Sequence, residues 1–313
     1  MFKNALVYRI VHWDPPAAPA LAERLSRARF VECGATQGES AGWIEPRGPQ
    51  HEALLETVAG QLVLRHCAET RKVPAGAVKD QVEARLATIE QQTGRRPRGK
   101  AVRDLKEQIV HALMPRAFPK RALNWVWIDP HGRWLGIDTA SAKRADAIVT
   151  GLVDLFGGGL GLAPLQTAMS PAGAMAGWLL EREPPRAFSV DRDAELRQPD
   201  GERPSVRYAR HALDTDEVVA HVRQGKVPTQ LAITWSGRVS FLLTEALAIK
   251  RIQMLDVVTD AASADEAGFD ADVAIATGEL RLLLPDLVEA LGGEPEPGAA
   301  TVTDSPSAEP LAA

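Results

Sequence analysis

Between Val78 and Leu113 the chain carries two apolar stripes at helical spacing, first Val78, Val82, Leu86 and Ile89, then Val102, Leu105, Ile109 and Leu113. Apolar residues recurring every three or four positions specify a helix with one face to bury. The stretch from Thr93 to Gly99, with the breakers Gly94, Pro97 and Gly99, separates the two stripes. This pattern predicts an antiparallel helical hairpin whose stripes face each other. Charge is concentrated on the same stretch. From Arg65 to Arg121 there are 14 Lys and Arg against 6 Asp and Glu, a net +8, which leaves 22 bases against 35 acids for the rest of the chain. An acidic protein therefore carries a basic insert, and segregation of this size sets up a local field that attracts polyanions.

The cations gather at two places. Arg95, Arg96, Arg98 and Lys100 crowd the predicted turn with no acid among them. After the second helix, Pro115 and Pro119 bracket Arg116, Ala117 and Phe118, an expected extended loop because a residue preceding proline is pushed out of the helical region. Phe118 then sits among Arg116, Lys120 and Arg121. Like charges packed this closely repel unless an anion neutralises them. A nucleic acid, an acidic protein surface and a merely solvated face all remain compatible with these residues.

Around the insert the pattern is α+β, with mixed and antiparallel sheets and packed helices. Leu6 to Val11 reads as a buried strand and Ala17 to Ala28 as a helix. Phe30 to Cys33 and Gly42 to Ile44 read as strand pieces, His51 to Val58 as helix, and Gln61 onward as strand. Trp125 and Trp127 on one side, Trp134 and Ile137 on the other, flank a turn of Asp129, Pro130, His131 and Gly132, a hairpin signal. Ser141 is placed to cap a helix that Gly157, Gly158 and Gly159 end. Further on, Leu160 to Leu165 is a strand, Met175 to Glu181 a helix, and Phe188 to Leu196 and Ser205 to Leu213 are strands around a turn at Pro199 to Gly201. A helix from Thr215 stops at Gly225. Leu231 to Trp235, Arg238 to Leu243 and Ala248 to Leu255 form an expected antiparallel meander. Val273 and Ile275 read as a strand and Leu280 to Leu291 as a last helix, bent or restarted at Pro285.

Several functions find little support. No apolar run approaches the roughly 20 residues that span a bilayer. The N-terminus reads as a first strand, because Arg9 interrupts its apolar core. Cys33 and Cys67 lack pairing or metal spacing, which fits a reducing cytoplasm, and both read as buried hydrophobes. The seven histidines show no metal-ligand spacing, and no metal or other cofactor is expected. Gly94 to Lys100 has the spacing of a phosphate-binding loop, yet Ala101 lacks the hydroxyl for Mg²⁺, Pro97 removes an N–H, and a helix precedes it where a strand is required. Asp191 and Asp193 flank Arg192 and suit an exposed strand better than a catalytic pair.

LMPRAFPKR at Leu113 to Arg121, followed by WIDPHGRWLGIDTASAKRADAIV, closely resembles the RdgC family of recombination-associated proteins. So do FKNALVYRI near the start, GWIEP at Gly42 to Pro46, QGKVPTQLAITW at Gln224 to Trp235, and FDADVAIATGEL; the likeness runs in order from Met1 to about Gly293. The resemblance implies a non-enzymatic, ring-forming homodimer, cytoplasmic and nucleoid-associated, that encircles double-stranded DNA without sequence preference and restrains RecA-driven strand exchange by occupying DNA. It leaves open whether single-stranded DNA is also bound. It implies a central α+β domain at residues 1–72 plus 122–170, a helical-hairpin tip at 73–121 and a base α+β domain at 171–293; the acidic tail at 294–313 falls outside the likeness, and its Pro, Ala, Ser, Thr and Glu content predicts disorder. Arg116 and Phe118 match the family's Arg-Ala-Phe loop, Arg210 a basic position, and Lys226 the lysine of its Gly-Lys-Val segment. His211 departs from an amide at its position, and Lys120 adds a cation beside Phe118. The expected DNA contacts are thus Arg95, Arg96, Arg98, Lys100, Arg116, Phe118, Lys120, Arg210, His211 and Lys226. The competing class is a protein-interaction module that captures a recombination or replication protein directly.

Overall fold

The computed structural model describes residues 1–200, 204–259 and 268–295. Its contacts divide the chain into two compact units, Met1–Pro164 with Ala248–Arg281, and Leu165–Leu247 with the chain from Leu282. The class is α+β, as the sequence pattern requires, with antiparallel pairing throughout the strand ladders of both units.

In the first unit the elements are β1 (Asn4–Trp13), α1 (Ala18–Arg27), β2 (Glu39–Ile44), β3 (Leu55–Val58), β4 (Gln61–Arg71), α2 (Ala75–Thr93), α3 (Lys100–Leu113), β5 (Pro119–Asp129), β6 (Trp134–Ile137), α4 (Ala142–Phe156) and β7 (Leu160–Pro164). Strand order is β2-β4-β5-β6-β1, with β3 also on β4 and β7 also on β1. The β4–β5 ladder runs from Leu62 opposite Ile128 to Arg71 opposite Pro119. Because side chains alternate across a strand, Leu64, Val126 and Ile128 face α1 and α4. They bury against Ile148, Leu152 and Phe156; each fully buried aliphatic side chain contributes about 1.5–3 kcal/mol. On the opposite face Val63 packs with Val58 and Val273, and Trp127 Nε1 donates to Gln61 Oε1 at 2.7 Å.

The turn between β5 and β6 forms where the sequence predicts it. Asp129 Oδ1 accepts the N–H groups of His131 at 3.1 Å and Gly132 at 3.0 Å, so one carboxylate folds the turn. Gly157 takes the left-handed conformation at φ 60° and ends α4. Ser141 stands at the start of α4, but its hydroxyl makes no capping bond.

The second unit contains α5 (Pro171–Glu181), β8 (Phe188–Arg197), β9 (Ser205–Tyr208), α6 (Asp216–Arg223), β10 (Val227–Trp235) and β11 (Val239–Thr244). Here β8 pairs with β9 and β10, and β10 with β11. β12 (Ile249–Met254) belongs to the first unit and pairs with β1, Asn4 opposite Lys250. The short helix α7 (Asp256–Thr259) and α8 (Phe269–Ala290) follow.

Four expectations are corrected. His51 to Val58 is not a helix: Leu55–Val58 is strand β3, because Ala59 at φ 49° and Gly60 at φ 78° make a two-residue turn that folds it onto β4. Val273 and Ile275 do not form a strand; they lie in α8, which continues with Pro285 inside it. Their neighbours Ala276, Leu280, Leu283, Leu284 and Leu287 are buried at helical spacing, so one long apolar face sets the period. Phe30 to Cys33 is irregular beyond a single bridge from Arg29 to Trp43. Met114–Arg116 is a 3₁₀ turn started by Pro115, and the extended backbone begins only at Ala117. The acidic tail falls, from residue 296 onward, outside the described residues, as does part of the turn at Pro199 to Gly201.

Candidate nucleic-acid interface

The basic insert is built on α2 and α3. Val78, Val82, Leu86 and Ile109 are buried together, with Val73, Val102, Leu105, Val110 and Leu113 packed against them. The two apolar stripes thus share one small core. Ile89 stays partly exposed. Gly94 caps α2 in the left-handed conformation at φ 67°, and Thr93 Oγ1 donates back to Ile89 O at 2.7 Å. α3 begins directly at Lys100, after Gly99 at φ 58° and ψ −121°. The Gly94–Lys100 segment therefore joins two helices, the wrong context for a strand-to-helix phosphate loop.

Arg95, Arg98 and Lys100 are exposed in this connection and form no ion pair among the described residues. Arg96 behaves differently. Its guanidinium reaches back to Glu83 and, at 3.5 Å, to Glu90 on α2. These acids stand two turns apart on one face of α2, so the turn that looks purely cationic in sequence is partly neutralised by its own helix.

A second cluster follows α3. Arg116 and Lys120 are exposed, and Phe118 between them is 93% exposed. A phenyl ring fully in water between two cations is an unused hydrophobic contact of the kind that stacks or docks. Arg121, by contrast, is committed: its Nε donates to Glu69 Oε2 at 2.7 Å, and its other end pairs with Glu32. Glu69 is buried and also accepts the Cys33 N–H at 2.9 Å. The Arg121 hydrogen bond holds the Glu69 carboxyl below the usual carboxylate range. On the same strand the Arg65 guanidinium lies over the Trp125 ring, 4.7 Å from its centroid.

Arg210, His211 and Lys226 belong to the second unit. Arg210 has φ 55°, and its N–H donates to Asp193 Oδ1 at 2.8 Å. His211 lies 5.5 Å from the Tyr208 ring, and Tyr208 lies 6.4 Å from His221. Lys226 Nζ donates to His221 Nδ1 at 3.0 Å. That bond leaves the His221 proton on Nε2, which faces Glu217 at 3.9 Å. Tyr208 donates to the same Glu217 carboxylate at 3.2 Å, and its hydroxyl pKa is pushed up to about 12 by burial and by that carboxylate. His211 and Lys226 are thus joined through Tyr208 and His221, two residues that motif reading passes over because each partner is set by β9 and α6 packing.

Cys33 and Cys67 are free and buried, and burial pushes both thiols up. Among the described residues no three His, Cys, Asp or Glu side chains converge as metal ligands, and no helix is long and apolar enough to cross a membrane.

These features define a two-unit α+β protein that carries lysine and arginine on a paired-helix element and at a β9–α6 corner. Comparison with known proteins narrows that class. A family model described as "Putative exonuclease, RdgC" matches residues 1–294. The Recombination-associated protein RdgC of Dechloromonas aromatica (strain RCB) is 40% identical over 304 residues, covering 94% of this chain and 98% of that protein. Those of Herminiimonas arsenicoxydans and Janthinobacterium sp. (strain Marseille) are 39% and 38% identical, again over 94% of this chain. The chain belongs to the RdgC family of recombination-associated proteins.

Proposed function

We propose that this chain binds duplex DNA through its phosphates, without sequence preference and without hydrolysing it, as a ring-forming homodimer that limits RecA-dependent strand exchange by occupying DNA. The observation that carries the reading is the pair of exposed cation clusters, Arg95, Arg98 and Lys100 on the α2–α3 connection, and Arg116 and Lys120 around a solvated Phe118. Phosphate contacts position a protein on DNA but carry no base information. On this reading α2 and α3 form the hairpin tip, and Arg210, His211 and Lys226 add contacts from the second unit.

Affinity should fall steeply with salt. Neutralising roughly 6–10 phosphates weakens binding by about 10³–10⁵ fold between about 50 and 200 mM salt. The pairing of Arg96 refines the test: Arg98→Ala should lower the salt slope by about 1, whereas Arg96→Ala should lower it less, since its charge is already shared with Glu83 and Glu90. A flat salt response overturns the reading. Incubating end-labelled duplex with Mg²⁺ addresses the exonuclease in the family description, and shortening of the label that tracks the purified protein would restore that activity. Inhibition of strand exchange that persists in a large excess of DNA would favour direct capture of a protein partner instead.

A further inference from the structure

On the helical face of the first unit a cleft of about 490 Å³ opens between α1 and α4 and is floored by β2 and β4. On β4 it lies on the face opposite Arg65 and Glu69, because side chains alternate along the strand, and none of the cations assigned to DNA lines it. Its lining includes Arg24, Arg27 and Arg29 against a single acid, Asp154. Arg24 Nη1 donates to Leu155 O at 3.2 Å, Arg27 pairs with Glu23, and Arg29 with Glu45. Each guanidinium has five N–H donors, so all three keep donors to spare. Apart from Trp43 and His66, the remaining wall is alanine, glycine and leucine.

The floor holds a second, independent feature. His66 is only 8% exposed, and its Nδ1 is buried without a hydrogen-bond partner. Its ring stands edge-on to Trp43, 5.2 Å away. An orphaned buried nitrogen is unfavourable; turning the ring about Cβ–Cγ exchanges Nδ1 with Cδ2 and offers that nitrogen to a new partner. Burial and the nearby Arg144 push the His66 pKa down to about 4, so the ring is neutral at pH 7. Room has also been left above it: a Cβ on Gly151 of α4, in the cleft wall, would meet no atom within 4 Å.

We propose that this cleft binds a small organic phosphate of nucleoside monophosphate size, with its phosphate held by Arg24, Arg27 and Arg29 and its body seated against the small apolar wall and His66. The volume lies in the range of small-molecule sites, and guanidinium groups match phosphate oxygens in geometry and charge. AMP is the probe and inorganic phosphate the control, titrated calorimetrically into the full chain and followed by the NMR signals of the His66 ring. Saturable binding with displaced His66 signals is expected, with inorganic phosphate weaker. Gly151→Leu fills the cleft while favouring the helix and should abolish AMP binding with an unchanged circular dichroism spectrum. Arg27→Glu, on an exposed side chain, should weaken it roughly tenfold or more. Arg98→Ala should leave it unchanged. No saturable binding up to millimolar AMP, equal affinity for inorganic phosphate, retention in Gly151→Leu, or loss in Arg98→Ala would each overturn the proposal.

Discussion

Arg96 and Arg121 show where a charge count misleads at the level of single residues. Sequence gives each the same weight as Arg98, yet the carboxylates that engage them stand 13 residues away for Glu83, 52 for Glu69 and 89 for Glu32. No local spacing encodes such pairings; β4–β5 register and the path of the α2–α3 connection create them. Exposure was the more legible property, since Arg95, Arg98, Lys100, Arg116, Phe118 and Lys120 all lie on the surface. His66 was illegible for the same reason as Glu69: a polar residue on a strand declares its face only when the partners are known. Its pKa, lowered from 6.5 to about 4 by burial and then by Arg144, has a consequence for stability. In the unfolded chain the imidazole takes up its proton near pH 6.5, whereas in the folded chain it resists until about pH 4. The unfolded state therefore binds more protons across that window, and stability must fall as pH drops through it, by about 3 kcal/mol in total. His66→Leu should flatten the urea midpoint between pH 6.5 and 4 relative to the natural chain. An equally steep slope in the variant would assign the effect to other groups.

At the scale of elements, legibility followed periodicity. The α2 and α3 stripes and the Asp129 turn announced themselves because each carries a complete local pattern: an apolar period, breakers, and a carboxylate two and three residues before the N–H groups it binds. β3 was missed because its signal is the two-residue turn Ala59–Gly60, and alanine is a poor advertisement for positive φ. The start of α8 was missed because Val273 and Ile275 are β-branched, and burial of a longer helical face overrides that preference. The α2–α3 connection depends on two glycines with different demands. Gly94 sits at φ 67° and ψ 5°, which other residues reach at a cost of about 1–2 kcal/mol. Gly99 sits at φ 58° and ψ −121°, a region nearly closed to side-chain-bearing residues. A Cβ at either position would meet no atom within 4 Å, so the difference is one of backbone alone. Gly99→Ala should therefore destabilise the start of α3 by about 1–3 kcal/mol and more than Gly94→Ala, read as faster amide exchange from Arg103 onward, whose N–H donates to Gly99 O. Equal or reversed effects would mean that the connection relaxes freely around Gly99.

For the whole molecule the question is how a chain of net charge −5 would hold the polyanion proposed for it. Phosphate contacts alone give an affinity that salt dissolves: the screening length shrinks to about 3 Å at 1 M, and a protein held only by ion pairs then leaves any DNA, whatever its topology. A closed ring adds a constraint that screening does not touch, since a circle threaded through it has no end from which to escape. The proposed assembly therefore predicts two kinds of release. Loaded at low salt and challenged at high salt, the protein should stay on a covalently closed duplex circle and slide off a linear fragment of the same sequence. Cutting the circle once in place should free it at the rate seen on linear DNA, because nothing but topology has changed. Equal release from both forms would leave the cation clusters as phosphate contacts and remove the ring.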